Sequence, residues 1–300
     1  MNAITRRRFA ACSAGLISAA GLPRMAVSAA VQTVSLSDGI VVPALGQGSA
    51  RLGQGRRPVA DEEQAMSTGL SLGMTLIDTA EIYGDGRAEQ LIGRVIKGRR
   101  DSVFLVSKVW PSHATRAGIE GACSASLARL RTDYLDLYLL HWPDRVEDLA
   151  EVVSTFEQLR AGGQIRRWGV SNFGVAELDR LFRIPAGEHC ATNQVPYSLA
   201  DRKVEREILP WCVQHRMPIM AYSPLGGEGS SVLRNPAVQR IAASRGESSA
   251  AVALTWAMRS GNVIAIPESG SVAHVRENAA ALTLKLERDE LRQLDQAFPA

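Results

Sequence analysis

Apolar residues along this chain gather in short runs, most of which close on a polar side chain. The runs lie at 44–48, 75–78, 103–109, 135–141, 165–171, 191–195, 219–222 and 263–266. Between them, apolar positions recur at helical spacing, among other places over 61–72, 89–97, 118–130, 149–159 and 252–258. Eight strand-like runs alternating with helices predict a parallel sheet covered by helices. Ahead of them, residues 34–42 hold two short β-type runs around Asp38-Gly39, a dipeptide suited to a tight hairpin turn.

Two architectures fit that rhythm. An open doubly wound sheet would carry a Gly-rich dinucleotide fingerprint between its first strand and helix. Leu45-Gly46-Gln47-Gly48-Ser49 lacks the third glycine at the required spacing. The expectation is an α/β fold of the closed (β/α)8 TIM-barrel type over residues 31–300, with the N-terminal β-hairpin closing its bottom. In such barrels the functional site forms at the C-terminal ends of the strands. Those ends read Asp78 with Tyr83 just beyond, then Lys108, His141, Ser171-Asn172, Gln194 and Tyr222. Stability alone does not explain polar closure at so many buried strands.

The stretch Leu76-Ile77-Asp78-Thr79-Ala80-Glu81-Ile82-Tyr83-Gly84 anchors this candidate site. A carboxylate ending a buried strand needs a cation, and Lys108, closing Phe104-Leu105-Val106-Ser107-Lys108, supplies one. An ammonium near Tyr83 would favour phenolate and lower a pKa that is ordinarily ~10. Two unit charges ~4 Å apart at an effective dielectric of ~20 interact by ~4 kcal/mol. That is enough to bring a phenol toward working range as a general acid. His141 would donate a hydrogen bond to a substrate oxygen; the bland alternative is a core histidine bonded to backbone. Asp78 and Lys108 as a purely structural ion pair is the bland alternative for that couple. Five histidines set well apart make a metal-dependent hydrolase built on His141 and Asp78 a poor fit, and no metal is expected.

The first thirty residues change the charge reading. Thr5-Arg6-Arg7-Arg8-Phe9 precedes a small-residue, moderately apolar stretch over 10–22, then Pro23-Arg24 and Val27-Ser28-Ala29-Ala30. A positive n-region, an h-region and a small-residue cleavage site make residues 1–30 an expected twin-arginine (Tat) signal peptide, cut after Ala29 or Ala30. The partner implied is the Tat export machinery and the place is periplasmic; a basic tail on a cytoplasmic protein is the alternative. Losing four arginines and no acids takes the formal charge from +3 to −1. No basic patch for nucleic acid then remains. No apolar run of ~18 residues occurs, so no membrane span is expected. Cys123, Cys190 and Cys212 would remain, spaced for neither a disulfide framework nor zinc, and read as buried thiols.

In order and context, Asp78, Tyr83, Lys108 and His141 resemble the catalytic tetrad of the aldo-keto reductases. The motifs that carry the resemblance include Ile77-Asp78-Thr79-Ala80-Glu81-Ile82-Tyr83-Gly84, Leu105-Val106-Ser107-Lys108-Val109-Trp110 and Trp168-Gly169-Val170-Ser171-Asn172-Phe173. Leu139-Leu140-His141-Trp142-Pro143 and Ala221-Tyr222-Ser223-Pro224-Leu225-Gly226 add to it. The similarity runs from Val34 to Phe298, toward bacterial methylglyoxal-reductase-like members. It implies hydride transfer between NADP(H) or NAD(H) and a small carbonyl substrate. Tyr83 would donate the proton, Lys108 and Asp78 would tune it, and His141 would orient the carbonyl.

The same resemblance implies that Tyr222 stacks on the nicotinamide and that Ser171, Asn172 and Gln194 hold its carboxamide. Gly48 and Ser49 would lie near the cofactor, and Ser223, Leu225 and Gly226 would approach the pyrophosphate. Ser269, Glu277 and Asn278 would meet the adenosine end. Trp110 and Trp142 would wall the substrate pocket, unless they only pack. Glu268 departs from the family, standing where a Lys is typical, and His274 replaces a second basic residue. An acid repels a 2′-phosphate but accepts a hydrogen bond from a ribose hydroxyl. That predicts a weakened NADPH preference and use of NADH, with Arg276 available to compensate. The short stretch after the last helical segment implies an open site for varied small carbonyls, on a monomer. The competing reading is a cofactor-binding redox sensor or accessory protein with little turnover, against which the full tetrad weighs.

Overall fold

The computed structural model describes residues 31–300, so the expected signal peptide lies outside the described residues. The hairpin is present: β1 (Thr33–Ser35) pairs antiparallel with β2 (Val41–Pro43), Val34 opposite Val42. Its turn is made by Asp38, whose Oδ1 accepts the Ile40 N–H at 3.2 Å, and by Gly39 at φ +84°. Only glycine adopts that backbone without strain.

Eight parallel strands follow: β3 (Gln47–Gly48), β4 (Leu76–Asp78), β5 (Phe104–Val109), β6 (Leu137–Leu140), β7 (Trp168–Ser171), β8 (Asn193–Pro196), β9 (Ile219–Tyr222) and β10 (Val263–Ala265). They pair in sequence order from β3 to β10. The ring closes where the Gly46 N–H donates to the Ala265 carbonyl at 2.8 Å and the Ala265 N–H to the Ala44 carbonyl at 2.8 Å. A Cβ at Gly46 would lie 2.6 Å from the Leu76 side chain and 2.9 Å from its carbonyl oxygen. Gly46, in the segment that lacks the dinucleotide fingerprint's third glycine, therefore permits close strand contact.

Side chains alternate across each strand. Leu76, Val106, Leu139 and Met220 point inward with Leu45 and Ile264, while Ile77, Leu105, Val109, Leu140 and Ile219 face the helices. Val34, Leu36 and Val42 of the hairpin join the inner cluster beside Leu76 and Leu137, which open their strands, so the hairpin covers the barrel's N-terminal end. Two residues beyond an inward apolar side chain lies the next inward position. That rule sets Asp78, Lys108, His141 and Tyr222 on one face at the opposite end. The register steps as a barrel requires, with Lys108 level with Leu139 and Ser171 level with Gln194.

The expected helical stretches appear as Val59–Ser71, Arg87–Val95, Arg116–Leu130, Leu149–Ala161 and Ser249–Met258. Several start at side-chain caps: Thr115 accepts the Gly118 N–H, and Asp148 accepts those of Ala150 and Glu151. Their apolar faces, among them Leu91, Ile119 and Phe156, pack on the outer face of the strands. Cys123, Cys190 and Cys212 are buried free thiols, each pushed up to about 12 chiefly by burial. Among the described residues no helix is long and apolar enough to cross a membrane.

Candidate active site

Lys108 is fully buried, and its Nζ donates to Asp78 Oδ2 at 2.7 Å, to the Thr79 carbonyl at 2.8 Å and to the Tyr83 hydroxyl at 3.3 Å. Asp78 reaches it from the neighbouring strand, and Tyr83 from the short loop after β4. The second carboxylate oxygen of Asp78 accepts the Gln194 Nε2–H at 2.8 Å, and its backbone carbonyl accepts the Ser49 hydroxyl at 2.9 Å. Three strands and a loop thus converge on one buried ion pair. A buried ammonium with three acceptors is well solvated by protein, and its pKa is raised because Asp78 and Tyr83 outweigh burial.

Tyr83 corrects an expectation. Its pKa is raised from 10, not lowered, because burial outweighs the attraction of Lys108 and because Asp78 and Glu268 also oppose phenolate. His141 goes the other way: burial, then the Lys108 charge, hold its imidazole down at about 3. Its ring meets Tyr83 edge-on at 5.8 Å and Trp110 edge-on at 5.2 Å. Its Nδ1 is buried without a hydrogen-bond partner. A bare acceptor costs less than a bare donor in that position, so the neutral ring is assigned its proton on Nε2.

Asn172 joins the neighbouring strand ends. Its Nδ2 donates to the His141 carbonyl at 3.1 Å and to Ser171 Oγ at 3.0 Å, while its Oδ1 accepts the Tyr222 hydroxyl at 2.9 Å. It sits at φ +64°, a conformation asparagine tolerates better than most residues. These groups border a cavity of about 710 Å³ that runs from Asp78, Tyr83, His141 and Trp142 past Tyr222 to Glu268 and His274. Gly48, Ser49, Ser171, Asn172, Gln194, Ser223 and Leu225 also line it.

Other expected positions stand outside that lining. Trp110 packs on His141 at its edge, Gly226 turns the loop behind Leu225 at φ +91°, and Ser269 Oγ accepts the Ser271 N–H at 3.1 Å. Glu277 is exposed and Asn278 is buried on the helix Val272–Ala279. Arg276 stands outside the cavity that Glu268 lines. It lines a separate cavity of about 290 Å³ with Gln64, Ser67, Ser71 and Arg99. Two helical residues lie ~200° apart around the axis, so His274 facing the cleft turns Arg276 away.

Size and lining fit a nicotinamide dinucleotide, with an aromatic platform and amide groups at one end and the cations Arg51 and Arg234 with the His274 ring toward the other. Sequence reasoning missed Arg51, whose guanidinium pairs with Glu228 at 3.1 Å and whose N–H donates to Glu268 Oε2 at 3.1 Å. Nothing local in Arg51 or Glu228 signals a pair between loops so far apart in sequence.

A model of the aldo/keto reductase family matches residues 44–298. The chain belongs to the aldo/keto reductase family. It is 46% identical over 270 residues to methylglyoxal reductase YeaE of Escherichia coli, spanning 89% of this chain and 95% of that protein. Methylglyoxal reductase DkgA of Yersinia pestis is 32% identical over 264 residues, covering 86% of this chain and 90% of its own. The crystal structure of an aldo/keto reductase from Klebsiella pneumoniae in complex with NADP and acetate superposes with a TM-score of 0.86 at 46% identity, over 90% of this chain and 96% of that one. The (β/α)8 barrel of these structures is the fold of this family member.

Proposed function

We propose that this aldo/keto reductase reduces small aldehydes and ketones, methylglyoxal among them, to alcohols with NADPH, and that Glu268 keeps NADH usable. The observation that carries the reading is a phenol bonded to a buried, paired lysine beside a histidine that stays uncharged. Relatives named as methylglyoxal reductases and an NADP-bound neighbour support it. The bound nicotinamide would supply a hydride to the carbonyl carbon.

The chain's own residues do the rest. His141, neutral at any working pH, can donate a hydrogen bond from Nε2 to the carbonyl oxygen but has no spare proton to give. Tyr83 is therefore the acid that protonates the oxygen, and Lys108 stabilises the phenolate left behind. Asp78 and Gln194 hold the ammonium in place for that moment. Tyr222 would stack on the nicotinamide, with Ser171, Asn172 and Gln194 toward its carboxamide and Gly48 and Ser49 alongside. Ser223, Leu225 and Gly226 would border the pyrophosphate, and Ser269, Glu277 and Asn278 the adenosine, while Trp110 and Trp142 wall the carbonyl.

Steady-state turnover of methylglyoxal with each cofactor tests both halves. Burial already pushes Glu268 upward, and a phosphate placed beside it would push it further. A hydrogen bond to a charged group is worth ~1.5–3 kcal/mol, so Glu268→Lys should raise kcat/KM for NADPH at least about tenfold over the native chain. A native preference for NADPH above about a hundredfold would refute the role given to Glu268. No NADPH consumption with any small aldehyde would refute the reaction.

We further propose that residues 1–30 are a twin-arginine export signal, on the strength of Arg6-Arg7-Arg8, the small-residue stretch after it and Ala29-Ala30. Sequencing of periplasmic protein should begin at Ala30 or Val31; an intact Met1 on that material would sink the proposal.

A further inference from the structure

Glu81 lies two positions before Tyr83 in the loop after β4, and its charge has no part in the ion pair described above. Its side chain is only 9% exposed. Oε1 accepts the backbone N–H of Trp110 at 2.6 Å and faces His113 Nδ1 at 3.0 Å. Its own backbone N–H donates to the Lys108 carbonyl at 3.4 Å. Trp110 and His113 flank the single turn Pro111–His113 that follows β5. One carboxylate thus clasps both ends of that turn to the loop that carries the phenol.

The consequence reaches the reacting groups through Trp110. The indole lies edge-on to His141 at 5.2 Å, and His141 lies edge-on to Tyr83 at 5.8 Å. His141 has no side-chain hydrogen bond at Nδ1 to set its ring, so packing must hold the imidazole. Trp110 is one wall of that packing and Tyr83 is the other. Both walls are tied to Glu81, one through a charge-assisted hydrogen bond to the Trp110 backbone and one by two steps of chain. Among the described residues no other hydrogen bond or ion pair between the two loops uses a charged group.

We infer that Glu81 is a positioning residue that sets the carbonyl-binding gap between His141 and Tyr83 by clamping Trp110; the inference rests on the reductase reading. It acts through Trp110 and touches neither cofactor nor substrate. Its loss loosens the wall against which His141 stands, while the Lys108–Asp78 pair and the cofactor end of the cleft keep their own partners. The signature is a rise in KM for the carbonyl with little change in nucleotide affinity.

Steady-state kinetics and NADPH fluorescence titration on the wild type, Glu81→Ala, Glu81→Asp and Glu81→Gln test it. Misplacement of a reacting group by ~1 Å costs up to ~100-fold, so Glu81→Ala should raise KM for methylglyoxal about tenfold or more. Glu81→Asp keeps the charge but withdraws the oxygen from Trp110, and should show the same rise if Glu81→Ala does not fold. Glu81→Gln keeps an acceptor oxygen and should recover most of the lost kcat/KM. Nucleotide dissociation constants should stay within about twofold throughout. An unchanged KM in folded Glu81→Asp or Glu81→Ala overturns the inference, as does an equal loss of nucleotide affinity. An inactive wild type instead overturns the reductase reading and is recognisable as such.

Discussion

Replacing Tyr83 by Phe should lower kcat for carbonyl reduction by about 10²–10⁴ while nucleotide binding and thermal stability stay near native. The substitution removes one oxygen, whose contact is the 3.3 Å hydrogen bond from Lys108 Nζ. Lys108 keeps Asp78 and the Thr79 carbonyl, so the buried charge remains satisfied. The neighbouring imidazole does not replace it as an acid, since it is held down at about 3 and is neutral at working pH. Turnover equal to wild type in Tyr83→Phe would remove Tyr83 as the donor.

The direction of the Tyr83 shift gives that mechanism a pH signature. Reduction requires the phenol protonated, and its pKa lies above 10 because burial outweighs Lys108. The reduction rate should therefore stay flat from about pH 6 to about pH 9 and fall only beyond it. Alcohol oxidation needs the phenolate, so its rate should climb with pH over the same range. An alkaline limb near neutrality in the reduction direction would mean that Lys108 dominates after all. The sequence shows only the charge of Lys108, because how much water reaches Tyr83 is a property of the folded site.

The barrel was legible because most strands report twice, by an apolar run and by the polar residue that ends it. Asp78, Lys108, His141 and Tyr222 fall on inward positions one step past Leu76, Val106, Leu139 and Met220, a period-two rule that needs no structure. Gly46 was legible as an exception to a fingerprint, but its reason, the nearness of Leu76, needed neighbours in space. Contacts between loops stayed hidden for the same reason. Gln194 was expected to serve the cofactor, and the bond its amide also donates to Asp78 at 2.8 Å could not be read from sequence. Arg276 sat at a plausible distance in sequence from Glu268 and points away from the cleft, since a helix turns through ~100° per residue.

Lys108→Met should be the most damaging single change, costing both stability and rate, and a second substitution should separate the two. Removing the ammonium leaves the Asp78 carboxylate, with a side chain only 3% exposed, facing no cation and holding only the Gln194 amide at 2.8 Å. Breaking a buried pair on one side costs ~3–5 kcal/mol, which for a chain this size lowers the melting temperature by ~10 °C. Tyr83 also loses the cation that receives its phenolate, so reduction should fall by ~10³ or more. Adding Asp78→Asn removes the stranded carboxylate. The double variant Lys108→Met/Asp78→Asn should regain most of the lost stability, because neither member of the pair then leaves an unpaired buried charge, yet regain none of the activity. Recovery of activity along with stability would make the pair a structural brace alone. Recovery of neither would place the cost of Lys108→Met in packing, since the lysine stem is itself fully buried. The expected split, stability restored and chemistry still absent, follows from one fact of geometry: the same Nζ that neutralises Asp78 at 2.7 Å also reaches the hydroxyl of Tyr83.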